Sequence, residues 1–415
     1  MRRTRFVHVH QLIQVESGSR LLHAGADMQD VHMIENAWLE VQDDLIVALG
    51  KMQDMPADSG DTEIIDCTGR VILPGYCDSH THIIFAATRE QEFVDKIRGL
   101  TYEEIARKGG GILNSARKLR ETSESDLFTS ALGRAKEMLS TGTTAFEVKS
   151  GYGLTLKDEL KMLRVAGRLR DAFPGSVKIT FLGAHAVPPE FIGRQADYVN
   201  LVINEMLPAV AAEGLADYAD VFCDRGFFTP DETERILAAA AKLGMRGKIH
   251  GNELAVSGGV QAGIAQNALT VDHLEEITEV EIQAFVDSNT LPVVLPGTSF
   301  FLRIPYAPAR KLIDAGLPLV IASDFNPGSS PSGNMNLMMA LACIQQRLLP
   351  EEALTAVTLN GAAALELSQR EGSITVGKFA NFSITKPIQH FWNVPYHFGS
   401  NLIDRVYIKG NQIVL

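Results

Sequence analysis

Cysteine is scarce in this chain: four in 415 residues, at positions 67, 77, 223 and 343, with no C-x-x-C pair. Such spacing argues against a disulfide framework and fits a reducing cytoplasm. Long apolar runs are missing too, none approaching the roughly 18 residues a membrane-spanning helix needs. The N-terminal stretch MRRTRFVHVH is basic but holds no continuous apolar segment, so no secretory signal is expected. Positive charge is in deficit, with 38 Lys and Arg against 50 Asp and Glu and a net charge of −12. No basic run is interleaved with aromatics, which disfavours nucleic acid or an anionic membrane as a partner. A small-molecule substrate remains. At 46% hydrophobic and 21% charged, the composition is that of an ordinary globular protein.

Both ends of the chain read as β-rich and the middle alternates strand and helix. Residues 37–42 and 45–48 flank the acidic pair Asp43-Asp44 as a hairpin. Segments 372–377, 380–384 and 406–414 have the same character. The economical arrangement is a small β-sandwich domain built from residues 1–70 and 371–415, with a larger domain, 71–370, inserted between them. In the insert, eight buried-strand candidates occur at 71–80, 143–149, 177–185, 217–223, 246–252, 268–273, 291–296 and 318–324. Helix-period segments separate most of them, for instance 127–139, 157–173 and 229–243; the last opens with Thr229-Pro230-Asp231-Glu232, a cap, a proline at the first helical position and an acidic first turn. The fold class is therefore α/β, and a (β/α)8 TIM-like barrel fits eight units over about 290 residues. A doubly wound open sheet is the alternative. It explains less well why reactive residues fall at the ends of so many different strands.

Histidine is uncommon, 11 in all, and between residues 83 and 389 only His185, His250 and His273 occur. Each lies at the end of an apolar run. His80-x-His82 follows such a run; residues i and i+2 of an extended chain point the same way, so both imidazoles can reach one ion. The chain carries its own control in His8-x-His10, which lies in an expected edge strand and reads as a solvated strand face. His250 precedes Glu253, a spacing that lets the histidine ligate while the carboxylate faces a substrate; the ordinary reading of Glu253 is a salt bridge. His273 is either a satisfied core histidine or a general base or holder of an attacking water. His185 is placed to polarise a substrate carbonyl. Asp324, after the apolar run 317–322, completes a metal set of His80, His82, His250 and Asp324. The Asn326, Gly328 and Ser329 loop that follows offers donors to a substrate carboxylate or carbonyl. Nitrogen and oxygen ligands of this kind suit one Zn ion, and Fe or Mn also fit. Strand 217–223 has no lysine to bridge two ions, so a mononuclear site is expected. Gly109-Gly110-Gly111 follows a helical segment and reads as a flexible active-site loop or a turn, not a phosphate cradle.

This pattern resembles the amidohydrolase superfamily, whose members place H-x-H after the first barrel strand, histidines after the fifth and sixth, and aspartate after the eighth. The likeness is closest to the branch acting in histidine degradation. It is carried by Pro74-Gly75 through His82, Arg89, Gly109-Gly110-Gly111-Ile112, Glu147-Val148-Lys149-Ser150-Gly151-Tyr152-Gly153-Leu154, Gly183-Ala184-His185, His250-Gly251-Asn252-Glu253, Leu295-Pro296-Gly297-Thr298 and Ser323-Asp324-Phe325-Asn326-Pro327-Gly328. The resemblance implies a cytoplasmic homodimer with one divalent or trivalent ion, Zn or Fe, in each subunit. It implies hydrolysis of the cyclic amide of 4-imidazolone-5-propanoate to N-formimidoyl-L-glutamate. Arg89 and Tyr152 would then meet the propionate, and His185 the oxyanion. His273 with Asp324 would take the water's proton, and Glu253 would serve the leaving nitrogen. Two other readings compete. A deaminase of the same superfamily would leave Arg89 without a carboxylate to match, and a non-catalytic scaffold would be expected to have lost ligands that this chain keeps.

Overall fold

Eight short runs of β-branched and apolar residues pair in parallel and wrap into a barrel. In the computed structural model, which describes residues 2–57, 60, 62–100, 104 and 110–414, they are Tyr76–Asp78, Thr143–Lys149, Ser176–Ala184, Tyr218–Cys223, Arg246–Gly251, Thr270–His273, Leu291–Val294 and Val320–Ile321, neighbours in that order. The ring closes just past the strand ends. Thr81 bridges Phe325 in parallel, Asp324 N donates to His80 O at 3.0 Å, and His82 N donates to Phe325 O at 2.9 Å. Closure therefore runs through the peptide units that carry the expected ligands. Parallel strands need helical crossovers, and these are capped as the sequence suggests. Thr229 accepts from Glu232 N while Glu232 accepts from Thr229 N, a capping box at the head of Pro230–Lys242.

A second sheet gathers both termini. Its order is Asn411–Ile413, Ile403–Ile408, Phe382–Thr385, Val71–Pro74, Arg3–Val15, His32–Gln42 and Leu45–Lys51, with Thr62–Asp66 also paired to Arg3–Val15. Phe6 meets Phe382 and Tyr407 edge-on, with ring centroids 5.1 and 5.0 Å apart, so aromatic packing welds the two ends of the chain together. The fold is thus a TIM barrel with a small domain made from both termini. Among the described residues, no helix is long and apolar enough to cross a membrane.

Three local expectations are corrected. The apolar run 71–80 is not one barrel strand: Val71–Pro74 belongs to the terminal sheet, and only Tyr76–Asp78 enters the barrel. The chain changes sheets at Gly75, where a Cβ would stand 2.1 Å from Thr144 Oγ1 and 2.8 Å from Thr144 Cβ. His8 and His10 are exposed, but their strand lies inside the sheet, not at its edge. The pairing shifts register between Phe6 and Val9, and His8 takes φ +54° in that bulge. Segment 372–377 is no strand. Gly372 and Gly377 take φ +81° and +91°, bending it into a loop that Ile374 N pins to Gln14 O at 3.0 Å.

Because a β-branched side chain fills the space at the sheet change, Gly75→Ala should overpack it and cost about 1–3 kcal/mol. A drop of that size in equilibrium urea unfolding is the check.

Candidate active site and metal centre

The barrel interior is lined by charge. Side chains two apart on a strand share a face, so Glu147 and Lys149 point inward together, as do Lys248 and His250. Asp220 and Asp272 join them from adjacent strands. Apart from the exposed Arg246 at the start of its strand, all four strands are buried, and their inward charges pair with one another. Lys149 Nζ lies 2.7 Å from Asp220 Oδ2 and 3.0 Å from Glu147 Oε1, and Lys248 Nζ lies 3.0 Å from Glu147 Oε2 and 2.8 Å from Ser79 O. The sequence reading missed this group of five. The signal was available: a charge inside a buried strand must have a partner.

Above that layer three imidazoles converge. His80 Nε2 and His250 Nε2 each lie 3.2 Å from His82 Nε2. On the far side of its ring, His80 Nδ1 gives its hydrogen to Asp272 Oδ2 at 2.5 Å, and His250 Nδ1 gives its own to Asp220 Oδ1 at 3.1 Å. Those bonds place the remaining lone pairs on the two Nε2 atoms, facing His82, and one His82 proton cannot satisfy both. Burial first, then the Lys149 ammonium and neighbouring imidazoles, holds the His80 ring well below the usual histidine range; burial and the His250 and His185 rings do the same to His82. Neutral rings with inward lone pairs are a cation site. Nitrogens about 2.0–2.1 Å from one ion at the tetrahedral angle would stand about 3.3 Å apart, which matches. Among the described residues these three form the one such cluster. Asp324 Oδ1 comes within 3.5 Å of both His80 Nε2 and His82 Nε2, while its Oδ2 accepts from Thr298 Oγ1 at 2.6 Å and Ser329 Oγ at 3.2 Å.

His82 and His250 open onto a cavity of about 390 Å³. Its wall contains every other expected site residue: Arg89, Tyr152, His185, Glu253, His273, Asn326, Gly328 and Ser329, with an apolar side of Phe222, Phe227, Leu254 and Leu302. Arg89 is held by Ser115 Oγ at 2.9 Å and lies over the Tyr152 ring, yet its buried Nη2 has no hydrogen-bond partner among the described residues. A guanidinium nitrogen left bare in this way asks for an anion. Gly328 makes room for it, since a Cβ there would stand 2.3 Å from Arg89 Nη1. Asn326 instead braces its own loop, its amide bound to Asp324 O and Ser329 Oγ, both at 2.7 Å. Ile112 also lines the cavity, just after Gly111 at φ +82°. The remainder of the expected glycine loop, at Gly109, lies outside the described residues.

Two groups at the strand ends are electrostatically paired. His273 Nδ1 is 3.8 Å from Glu253 Oε2 and 3.6 Å from Glu275 Oε2. Burial pushes the Glu253 carboxyl up to about 7. Burial would lower His273, but Glu253, Glu275 and Asp324 outweigh it and raise the imidazole. His185 Nδ1 donates to Gly151 O at 3.0 Å, and burial lowers that ring to about 3. Asn252, His273 and Asp324 have φ of +58°, +90° and +53°, and this concentration of left-handed non-glycine residues marks a strained, functional rim. Asp224, another residue the sequence reading missed, steadies that rim by accepting from Glu253 N at 2.8 Å and Leu254 N at 2.9 Å.

Comparison with known proteins follows the same lines. The amidohydrolase family profile matches residues 71–413. Imidazolonepropionase from Christiangramia forsetii is 52% identical over 406 residues, covering 98% of each chain, and that from Flavobacterium johnsoniae is also 52% identical with 98% of each chain covered. A triazine hydrolase variant superposes with a TM-score of 0.78 at 16% identity, over 100% of this chain and 95% of that one, a likeness of fold alone.

Since Asp220 fixes the His250 tautomer, Asp220→Asn should weaken metal binding roughly 10–100-fold. Competition with a chromophoric chelator measures it; unchanged affinity would remove Asp220 from the site.

Proposed function

We infer the work of this site from one premise: the chain belongs to the amidohydrolase family and, within it, to the imidazolonepropionases, hydrolases acting on a cyclic amide. The family is metal-dependent, and the His80, His82 and His250 cluster is present. The reading that fits best is hydrolysis of 4-imidazolone-5-propanoate to N-formimidoyl-L-glutamate. It is carried by the buried Arg89 Nη2, without a hydrogen-bond partner among the described residues, in the same cavity as His82 and His250 of the imidazole cluster. A cation site alone would serve many hydrolases; a cation site together with an unanswered guanidinium suits a small ring bearing a carboxylate.

In this reading His80, His82, His250 and Asp324 hold one ion per subunit, Zn or Fe. When bound, the ion polarises the ring carbonyl and lowers the pKa of the attacking water. Arg89 takes the propionate in a charge-assisted hydrogen bond. Tyr152 keeps its phenolic hydrogen, because burial pushes its pKa up, and donates to the same group. Asp324 accepts the water's proton. His273, raised by the carboxylates around it, keeps its own proton at neutral pH and supports the neighbouring charges as it orients the water. His185, with Nδ1 committed to Gly151 O and its ring kept neutral by burial, meets the substrate through the Nε2 lone pair, accepting from a ring N–H. Glu253 gives its proton to the leaving nitrogen, which a carboxyl raised to about 7 can do near neutrality. Asn326, Gly328 and Ser329 shape the wall against Arg89. The same reading makes the protein a cytoplasmic homodimer that binds neither nucleic acid nor membrane. The net charge of −12 and four free cysteines support the compartment and the partner class, and the dimer follows from the family.

Three outcomes test this. Glu253→Gln should keep its metal, by elemental analysis, and lose about 10²–10⁴ in kcat; wild-type-like turnover would remove Glu253 from proton transfer. The proton donor is the protonated form, so wild-type kcat should fall as pH rises through about 7, and a rate profile of the Gln variant should lack that limb. Arg89→Ala should raise KM for imidazolonepropionate roughly 10–10²-fold, as a lost charged hydrogen bond of about 1.5–3 kcal/mol implies; indifference, with turnover of cytosine, would favour a deaminase.

A further inference from the structure

Beneath the cavity, Glu147, Lys149, Asp220, Lys248 and Asp272 form an ion cluster whose side chains are fully buried. Nothing in the reaction needs a lysine there, and a buried ammonium is costly unless its partners hold it. Lys149 is the member that is hydrogen-bonded to one carboxylate behind the ligands and within ion-pair distance of the other. Its Nζ lies 2.7 Å from Asp220 Oδ2 and 4.0 Å from Asp272 Oδ2, the latter being the oxygen that also receives the His80 Nδ1 hydrogen. Asp220 in turn holds His250. One cation therefore spans the two carboxylate–imidazole pairs that aim two of the three nitrogens.

We propose that Lys149 is a positioning residue of the metal centre, fixing Asp220 and Asp272 so that His250 and His80 present their lone pairs to one point. The bland alternative is that Lys149 merely offsets surplus negative charge. The two make opposite predictions. An ammonium repels a metal cation, so if charge is all that matters, a neutral side chain in its place tightens metal binding. If Lys149 aims the ligands, the same change loosens it. Burial works against the charged lysine, but Asp220, Glu147 and Asp272 outweigh it and keep the group an ammonium.

The inference rests on the three histidines being the metal ligands, and the experiment separates the two claims. Metal-free wild-type chain is titrated with Zn²⁺ against a chromophoric chelator, alongside Lys149→Met, Asp220→Asn and the double variant. Wild-type failing to take up an ion would sink the ligand reading itself. With wild-type binding in hand, Lys149→Met should bind Zn²⁺ roughly 10–100-fold more weakly, as outer-sphere partners of metal ligands do. The double variant should bind much less weakly than the product of the two single losses predicts, because both act through Asp220. Equal or tighter binding by Lys149→Met, or fully multiplicative losses, overturns the proposal. Should Lys149→Met not fold, Glu147→Gln/Lys149→Met removes one charge of each sign and leaves the cluster's net charge as it was. Its affinity should fall by the same factor, and wild-type affinity there would refute the role.

Discussion

The structure depends on two buried hydrogen bonds, donated by His80 Nδ1 to Asp272 and by His250 Nδ1 to Asp220. Each fixes which ring nitrogen carries the hydrogen, and so which nitrogen is free for an ion. In water such bonds would compete with solvent and contribute little; within a buried barrel they set the chemistry of the ring. Much else serves them. The lysines make it tolerable to bury the carboxylates, the strands set the carboxylates at the right depth, and barrel closure through the His80 and Asp324 peptides brings the first and last strand ends together.

How much of this was legible in the sequence follows from where each partner sits. His80, His82, His250 and Asp324 stand at the ends of apolar runs, and rare polar residues at strand exits are visible without any structure. The barrel was legible for the same reason, since eight buried runs alternate with helix-period segments. The ion cluster was not legible as a cluster. Lys248 meets Glu147 from 101 positions away, and Asp272 meets His80 from 192 away. A local reading registers each as an oddity, an isolated charge in a buried strand, and only the fold introduces them to each other. Asp224 escaped for a different reason: its work is done on backbone N–H groups, which carry no sequence signature.

The misjudged elements share a cause as well. Residues 71–80 look like one strand because both halves are buried and apolar; composition reports burial, not which sheet buries a residue. Segment 372–377 has strand-like Ile and Val, but its flanking glycines adopt left-handed backbone, and conformation there overrode propensity. The strand of His8 and His10 lies inside its sheet although both residues face solvent, since a central strand also exposes one face when only the other is packed.

The change of sheets at Gly75 carries a consequence for the whole chain. Val71–Pro74 is clamped between the N-terminal strand and Phe382–Thr385, and the first histidine of the candidate metal cluster follows within six residues of Pro74. The terminal sheet thus works as an anchor plate from which the ligand segment is hung, and the last strands of the chain help set the register of a histidine more than 300 positions earlier. Seen this way, the two ends of the polypeptide are not packaging around an autonomous catalytic barrel but the mount to which its front edge is bolted.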